Sequence, residues 1–270
     1  MAEEKHFARK YLREEVLPST FCAGCGCGTI INCFLRATQE LGHQDLKDFV
    51  FCSGIGCSAW ISSPYLKADS IHVTHGRSIP VALGVKLVRP ELNVVVFGGD
   101  GDLTGIGLNH LVQAARRNLD ISVIMVNNMI YGMTGGQVAP TTPLKVKTTT
   151  TPYGAFEYPL DASRLVATAG ACYVARWTTY HISPVKEAMK KALQKKGFSF
   201  IEVVSQCPTI FGRRIGLNTA GQMLRWLRDN SITIIKAREM APNELENKIT
   251  VGEFVNIEKP PLTENIRKVS

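Results

Sequence analysis

An α/β fold built on a doubly wound parallel sheet is what this sequence predicts, on three observations. Short apolar, β-branched runs recur along the chain, segments with a helical period separate them, and several runs end in a polar, glycine-bearing turn. Crossovers of that length join parallel strands, and their helices then cover both faces of the sheet. The 270 residues, 45% of them hydrophobic, can bury one full domain core and still leave an appendage.

Residues 1–17 read as a polar lead-in with a short helix, lying on the surface or on a neighbour. Phe21-Cys22-Ala23-Gly24-Cys25-Gly26-Cys27-Gly28 is a glycine-rich knuckle that opens a helix. Ile30, Ile31, Cys33, Phe34, Ala37 and Leu41 keep the helical period until Gly42 stops it. Residues 49–52 form a buried strand that runs into Ser53-Gly54-Ile55-Gly56-Cys57-Ser58. Residues 71–74 read as a second buried strand, ending in His75-Gly76-Arg77 before a helix over 79–87.

The centre of the chain is a crossover. Val94-Val95-Val96-Phe97 ends in Gly98-Gly99-Asp100-Gly101-Asp102, residues 103–118 have room for a helix, and Ile121-Ser122-Val123-Ile124-Met125-Val126 ends in Asn127-Asn128-Met129-Ile130. Parallel strands joined this way place both turns side by side at the carboxyl edge of the sheet. The Asp100 carboxylate, the Asn128 amide oxygen and the Ile130 carbonyl are three hard oxygen donors. With glycines admitting close backbone approach, they suit a Mg²⁺ ion that also grips a diphosphate.

After Gln137 comes a long low-complexity connection, Pro140-Thr141-Thr142-Pro143 and the threonine run 148–151. A loop of this kind in a compact domain is functional or covered by a partner. Alternation resumes with a helix over 162–168, a strand over 172–176, a helix over 185–196 and a strand over 198–204 that leads into Ser205-Gln206-Cys207-Pro208. From residue 216 the pattern weakens to one helix, 217–228, and a charged tail. The division is therefore a cofactor-binding domain over 1–215 and a helical extension over 216–270 that packs on a partner subunit.

Gly99-Asp100-Gly101, then twenty-five residues (102–126), then Asn127-Asn128 resembles the signature of thiamine diphosphate (ThDP) enzymes. The continuation Tyr131-Gly132-Met133-Thr134-Gly135-Gly136-Gln137, with the cysteines, is similar to the ThDP-binding beta subunit of 2-oxoacid:ferredoxin oxidoreductases, over roughly residues 20 to 215. The resemblance implies a fold of the ThDP-binding type and CoA-dependent oxidative decarboxylation of a 2-oxoacid, with 2-oxoglutarate favoured over branched-chain acids and pyruvate. It places ThDP against Ile55, Gly56, Cys57 and Ser58, against His75 and Arg77, against Gly99, Asp100, Gly101 and Asp102, and against Asn128, Gly132, Met133 and Thr134. His75 and Arg77 are the catalytic candidates, although either could be an ordinary surface residue. Trp60 falls where the family's substrate pocket varies, and it would be equally at home in a core.

Eight cysteines without an evident secretion signal in residues 1–15 lead to the expectation of a reducing cytoplasm, where clustered thiols hold metal more often than they form disulfides. Cys22-x-x-Cys25 can turn around a tetrahedral centre, and Cys57 and Cys207 each follow a strand. Spacing alone fits a four-thiolate zinc as well as iron. In the family resembled, these four positions hold one [4Fe–4S] cluster, and single-electron relay to ferredoxin requires a redox-active centre. Cys27 is an alternative ligand; Cys33, Cys52 and Cys172 read as small buried hydrophobes.

The family's ylide-forming glutamate comes from an alpha subunit, which completes the site, and further ferredoxin-like subunits can carry additional relays. The net charge of +8 suits an anionic substrate, coenzyme A or an acidic electron carrier. No basic helix interleaved with aromatics points to nucleic acid, and no run of eighteen apolar residues points to a membrane span.

Overall fold

The computed structural model describes residues 6–241 and 243–268. Residues 1–5 of the expected lead-in, and Pro242 and residues 269–270 of the expected extension, lie outside the described residues. Strands β1 (Phe49–Ser53), β2 (Asp69–His72), β3 (Asn93–Gly99), β4 (Ser122–Asn127), β5 (Tyr173–Thr178), β6 (Ser199–Val204), β7 (Ser231–Thr233) and β8 (Ile249–Asn256) form one sheet in the order β2-β1-β3-β4-β6-β5-β8-β7. The first six strands in that order run parallel, and β8 lies antiparallel to β5.

Helices α1 (Gly26–Glu40) and α5 (Ile182–Gln194) cover one face; α2 (Ser78–Val88), α3 (Leu108–Arg117) and α4 (Ala162–Ala169) cover the other. Alternate residues of each central strand feed the two layers. Phe51, Phe97, Ile124 and Ile201 meet Phe34 and Met189, while Val96, Val123 and Phe200 meet Leu111 and Val166. Phe34 stands edge-on to Phe51 and Phe97, with ring centroids 5.6 and 5.3 Å away. Full burial of such a ring contributes about 2–3 kcal/mol. The doubly wound architecture is thus the one predicted.

Five segments depart from expectation, the 216–270 segment among them. Strand β2 begins two residues early and is largely exposed, because it pairs only with β1 and forms the sheet edge. The helix expected over 103–118 starts with a wide π-type turn, Asp102–Ile106, and becomes regular only at Leu108. Gly105 leaves helical geometry there, with φ −85° and ψ −109°. The lead-in packs on its own chain: Tyr11 is fully buried, and its hydroxyl donates to the His43 carbonyl at 2.6 Å. The connection after Gln137 is closely packed, with Thr141, Thr142, Thr148 and Thr151 all buried.

The segment 216–270 is not wholly helical. Helix α6 (Ala220–Asn230) starts at a capping box on Thr219, followed by β7, the single turn α7 (Ile234–Ala237), β8 and α8 (Leu262–Arg267). Strand β8 extends the sheet of its own chain, since β5 would otherwise leave a row of backbone groups unpaired. Asn118, in left-handed geometry at φ 52°, ties the end of this segment down. Its amide donates to the carbonyls of Lys259 and Pro260 at 3.0 and 2.9 Å, and its oxygen accepts from the Phe198 N–H at 2.8 Å.

Behind the carboxyl edge lies a buried polar knot. Glu202 on β6 accepts from Asn127 Nδ2 at 2.7 Å, Ser163 Oγ at 2.6 Å and Arg176 Nε at 2.7 Å, and Arg176 also pairs with Asp161. The ion pair is fully hydrogen-bonded, the condition under which buried charge is tolerated. Asn118→Ala removes four hydrogen bonds, the three above and one that Oδ1 accepts from Cys172 Sγ at 3.1 Å, and places an unsuited residue in left-handed geometry. A loss of about 3 kcal/mol is expected, seen as a lower urea midpoint with unchanged slope.

Candidate active site

The predicted turns converge. Strand register sets Gly99 opposite Val126 and Asn127 opposite Val204, so the loops after β3, β4 and β6 leave the sheet at one level. With the loop after β1 and the knuckle before α1, they enclose a cleft of about 690 Å³. Lining it are Cys22, Cys25, Cys27 and Cys57, then Ile55, Gly56, Ser58, Trp60 and His75, then Gly99, Asp100, Gly101 and Asp102. Asn128, Ile130, Gly132, Met133, Thr134 and Cys207 complete the predicted set. Arg77 is the exception. It caps α2 outside the cleft, its guanidinium donating to the Gly76 and Ile106 carbonyls at 3.3 and 3.4 Å, because Gly76 turns the chain away from His75.

The Asn-Asn turn depends on one strained residue. Met129 adopts φ 62°, which brings the Asn128 side chain and the Ile130 backbone together: Asn128 Oδ1 accepts from the Ile130 N–H at 3.2 Å. Two contacts hold it there. Asn127 Oδ1 accepts from the Met129 N–H at 3.0 Å, and Thr142 Oγ1 donates to the Met129 carbonyl at 2.7 Å. The neighbouring Thr141 hydroxyl donates to Asp100 Oδ2. The Pro-Thr-Thr-Pro segment therefore braces both turns at once, a role that was not assigned from sequence.

Asp100 is almost wholly buried, and that burial pushes its carboxyl up to about 7, with Thr141 and the Gly101 N–H pulling the other way. Asp102 accepts from the Gly76 N–H at 2.7 Å and lies 3.0 Å from His75 Nδ1, which orients the imidazole. Its other oxygen, Oδ2, and Ser58 Oγ are buried without a partner. Two orphaned polar atoms among the cleft-lining residues are what a cradle for a polar ligand requires. A side chain at Gly101 would run into the Tyr131 ring, whose hydroxyl donates to the Gly101 carbonyl at 3.1 Å.

The knuckle's glycines explain how distant thiols meet. A β-carbon at Gly26 would overlap Ser205 Oγ, and one at Gly24 would lie 2.5 Å from Ala220 Cβ and 3.7 Å from Pro208 Cγ. The Gly26 N–H donates to the Gln206 carbonyl at 3.1 Å, which seats α1 directly on the Cys207 loop. Burial pushes the Cys57 thiol up to about 11, and charge on Cys25, Cys207 and Cys22 adds to this. Cys207 is raised by burial and then by Cys25 and Cys22, while a hydrogen bond from Cys27 holds Cys25 at about 7. Cys27 is thus a buried member of the group, while Cys33, Cys52 and Cys172 are buried elsewhere, as expected.

The two halves of the cleft touch at Gly132. A β-carbon there would lie 3.3 Å from Asn128 Nδ2 and 3.8 Å from Cys207 Sγ. Besides the bracing Thr141 behind it, the cleft has lining residues that were not assigned from sequence, namely Tyr131, Thr20, Phe21, Ser205, Gln206 and Ile210. Their only available signal was adjacency to the cysteines and to the tyrosine–glycine turn.

A parallel sheet carrying an acidic glycine turn beside an asparagine-pair turn defines a cofactor-binding domain of the thiamine diphosphate class. Residues 54–203 match the family described as thiamine pyrophosphate enzyme, C-terminal TPP binding domain, thiamine pyrophosphate being the same compound. The 2-oxoglutarate synthase subunit KorB of Methanocaldococcus jannaschii is 52% identical over 98% of this chain and 97% of its own. A 2-oxoacid:ferredoxin oxidoreductase subunit beta of Saccharolobus solfataricus is 44% identical over 70% of this chain and 62% of its own. A solved 2-oxoglutarate:ferredoxin oxidoreductase from Magnetococcus marinus, with 2-oxoglutarate, coenzyme A and succinyl-CoA bound, superposes with a TM-score of 0.86. It is 33% identical and covers 99% of this chain and 91% of that one. The chain belongs to the thiamine pyrophosphate enzymes and, within them, is a beta subunit of the 2-oxoacid:ferredoxin oxidoreductases.

Gly101→Ala must displace the Tyr131 ring. A roughly tenfold rise in the ThDP dissociation constant is expected, about 1.4 kcal/mol, read by quenching of tryptophan fluorescence. An unchanged constant would show that the ring moves aside without cost.

Proposed function

We propose that this subunit holds ThDP, Mg²⁺ and one [4Fe–4S] cluster in the shared cleft and, with an alpha subunit, oxidatively decarboxylates 2-oxoglutarate to an acyl-CoA and CO₂, passing electrons to ferredoxin. The observation that carries this reading is the contact at Gly132, which separates the Asn128 turn from the Cys207 thiol by little more than a methyl group. Two relatives named for 2-oxoglutarate support the choice of substrate.

Asp100, Asn128 and the Ile130 carbonyl are the oxygen donors that would hold Mg²⁺. Ser58 Oγ, with its free hydroxyl proton, and the N–H groups of the Gly101 turn would meet the diphosphate. Bound there, ThDP would supply the carbanion and the electron sink that decarboxylation of a 2-oxoacid requires. His75, held by Asp102 through Nδ1, lines the cleft, and its other nitrogen would be available to donate a hydrogen bond to a phosphate or a substrate carboxylate. Trp60 and Met133, both partly exposed on the lining, give the open side an apolar wall that keeps water out once covered.

Cys22, Cys25, Cys57 and Cys207 would hold the cluster. Zinc has no accessible redox state, so the single-electron transfer in this reading favours an iron–sulfur cluster over zinc. Among the described residues no glutamate lines the cleft, and Glu202 behind it is fully engaged with Asn127, Ser163 and Arg176. This supports a partner subunit as the source of the carboxylate that activates ThDP. The exposed Ile235, Ile257 and Ile266 of the 216–270 segment offer that subunit further apolar surface. No helix among the described residues is long and apolar enough to cross a membrane.

Assay of the complex against a panel of 2-oxoacids with coenzyme A and an oxidised carrier tests the assignment; greater activity on another acid would move the substrate. Cys207→Ala is expected to abolish ferredoxin reduction and lower iron and sulfide content while ThDP still binds. Normal electron transfer in that variant would refute the cluster ligation. Asp100→Ala should weaken Mg²⁺-dependent ThDP binding at least tenfold, about 1.4 kcal/mol, in a calorimetric titration run with and without the metal.

A further inference from the structure

We infer that Thr141 sets the metal preference of the cofactor site: by engaging one oxygen of Asp100 it limits that carboxylate to a single metal bond, which suits Mg²⁺ and disfavours Ca²⁺. The inference rests on the reading of Asp100, Asn128 and the Ile130 carbonyl as the metal donors. To that reading it adds a residue from outside the cleft lining. Thr141 is thus a positioning residue that acts through Asp100.

The carboxylate has little freedom. Asp100 is buried, and its backbone carbonyl accepts from Thr104 Oγ1 at 2.7 Å. Among the described residues the Thr141 hydroxyl is the one side-chain group that donates to the carboxylate itself, and it does so at Oδ2. A carboxylate pinned at one oxygen does not turn freely to present both, and the oxygen that accepts the hydrogen bond is the weaker metal donor of the two. Thr141 is itself held in place. It is buried, and its neighbours are fixed on both sides. Thr142 Oγ1 accepts from the Ala139 N–H at 2.8 Å while donating to the Met129 carbonyl at 2.7 Å, and the Leu160 N–H donates to the Pro140 carbonyl at 2.8 Å.

Counting oxygens shows what this does. Asn128 and the Ile130 carbonyl offer one each, so a single bond from Asp100 brings the chain's share to three. Two diphosphate oxygens and a water would complete about six, the near-ideal octahedron that Mg²⁺ demands at about 2.0–2.1 Å. Ca²⁺ takes about six to eight oxygens at about 2.3–2.6 Å and readily accepts both oxygens of one carboxylate. Loss of the Thr141 hydroxyl frees Oδ2 as a fourth donor and removes the bias against the larger ion.

The test measures the ThDP affinity of the assembled complex, freed of cofactor and divalent cations, by calorimetric titration in Mg²⁺ and in Ca²⁺. The parent should bind ThDP about tenfold or more tightly in Mg²⁺. Thr141→Val keeps the side-chain shape and removes the hydroxyl. Its affinity in Mg²⁺ should fall about tenfold or more, as when the support of a metal ligand is lost, while that in Ca²⁺ changes less and the preference narrows. Thr141→Ser, which keeps the hydroxyl, should retain the parent preference. A valine complex in which both affinities fall alike, with the preference unchanged, overturns the inference and leaves Thr141 a packing role only. A parent that holds ThDP equally well with either cation overturns it whether or not the valine variant assembles. A parent whose ThDP affinity is the same in EDTA as in Mg²⁺ instead removes the metal-site reading beneath it.

Discussion

The register of β4 against β6 is the constraint on which the site depends. Asn127 lies opposite Val204, and the ladder continues one step beyond the strands, where the Ser205 N–H donates to the Asn127 carbonyl at 2.8 Å. The turn that carries Asn128, Met129 and Ile130 and the loop that carries Cys207 thus emerge as neighbours. A slip of one residue would turn every side chain of one strand to the opposite face and separate them. Proximity of cofactor and thiol centre is therefore a backbone property, and hydrogen bonds of the sheet interior enforce it.

Around that ladder the chain places polar groups where an apolar core would be simpler. Arg176, Glu202, Asn127 and Ser163 satisfy one another, and Thr141 and Thr142 reach from the 138–161 connection to Asp100 and the Met129 carbonyl. Buried networks of this kind contribute little net stability, but they specify one arrangement. Here the arrangement includes a methionine in left-handed geometry, whose strain persists because both of its flanking groups are held. Rigidity in the second layer lets the cleft keep two orphaned polar atoms, Ser58 Oγ and Asp102 Oδ2, ready for a ligand. A site in which glycines, threonines and a strained turn cooperate tolerates few substitutions, although few of these residues would touch the reacting atoms.

Much of this was legible in the amino-acid order. The six parallel strands, α1, α2, α4, α5 and the paired turns follow from local periodicity and glycine placement, which report burial directly. Residues whose role depends on a distant partner were harder to read. Arg77 shares a motif with His75, yet the left-handed Gly76, at φ 73°, sends the two side chains apart. Thr141 and Thr142 read as low complexity because their partners lie about forty residues earlier and thirteen residues earlier respectively. Strand β8 was hidden since its apolar pattern is weak, and only the open edge of β5 explains why it pairs.

By itself the sequence determined which atoms were available: a carboxylate, an amide and a carbonyl at strand ends, and thiols at spacings suited to a metal centre. Such content is local, carried by residue type and by spacing within a single loop. Only the tertiary structure decided that both sets open into one cleft and that Gly132 lies between the Asn128 turn and the Cys207 thiol. Those relations depend on strand order and register, which bring residues 128 and 207 to either side of Gly132 and which no single segment of the chain encodes.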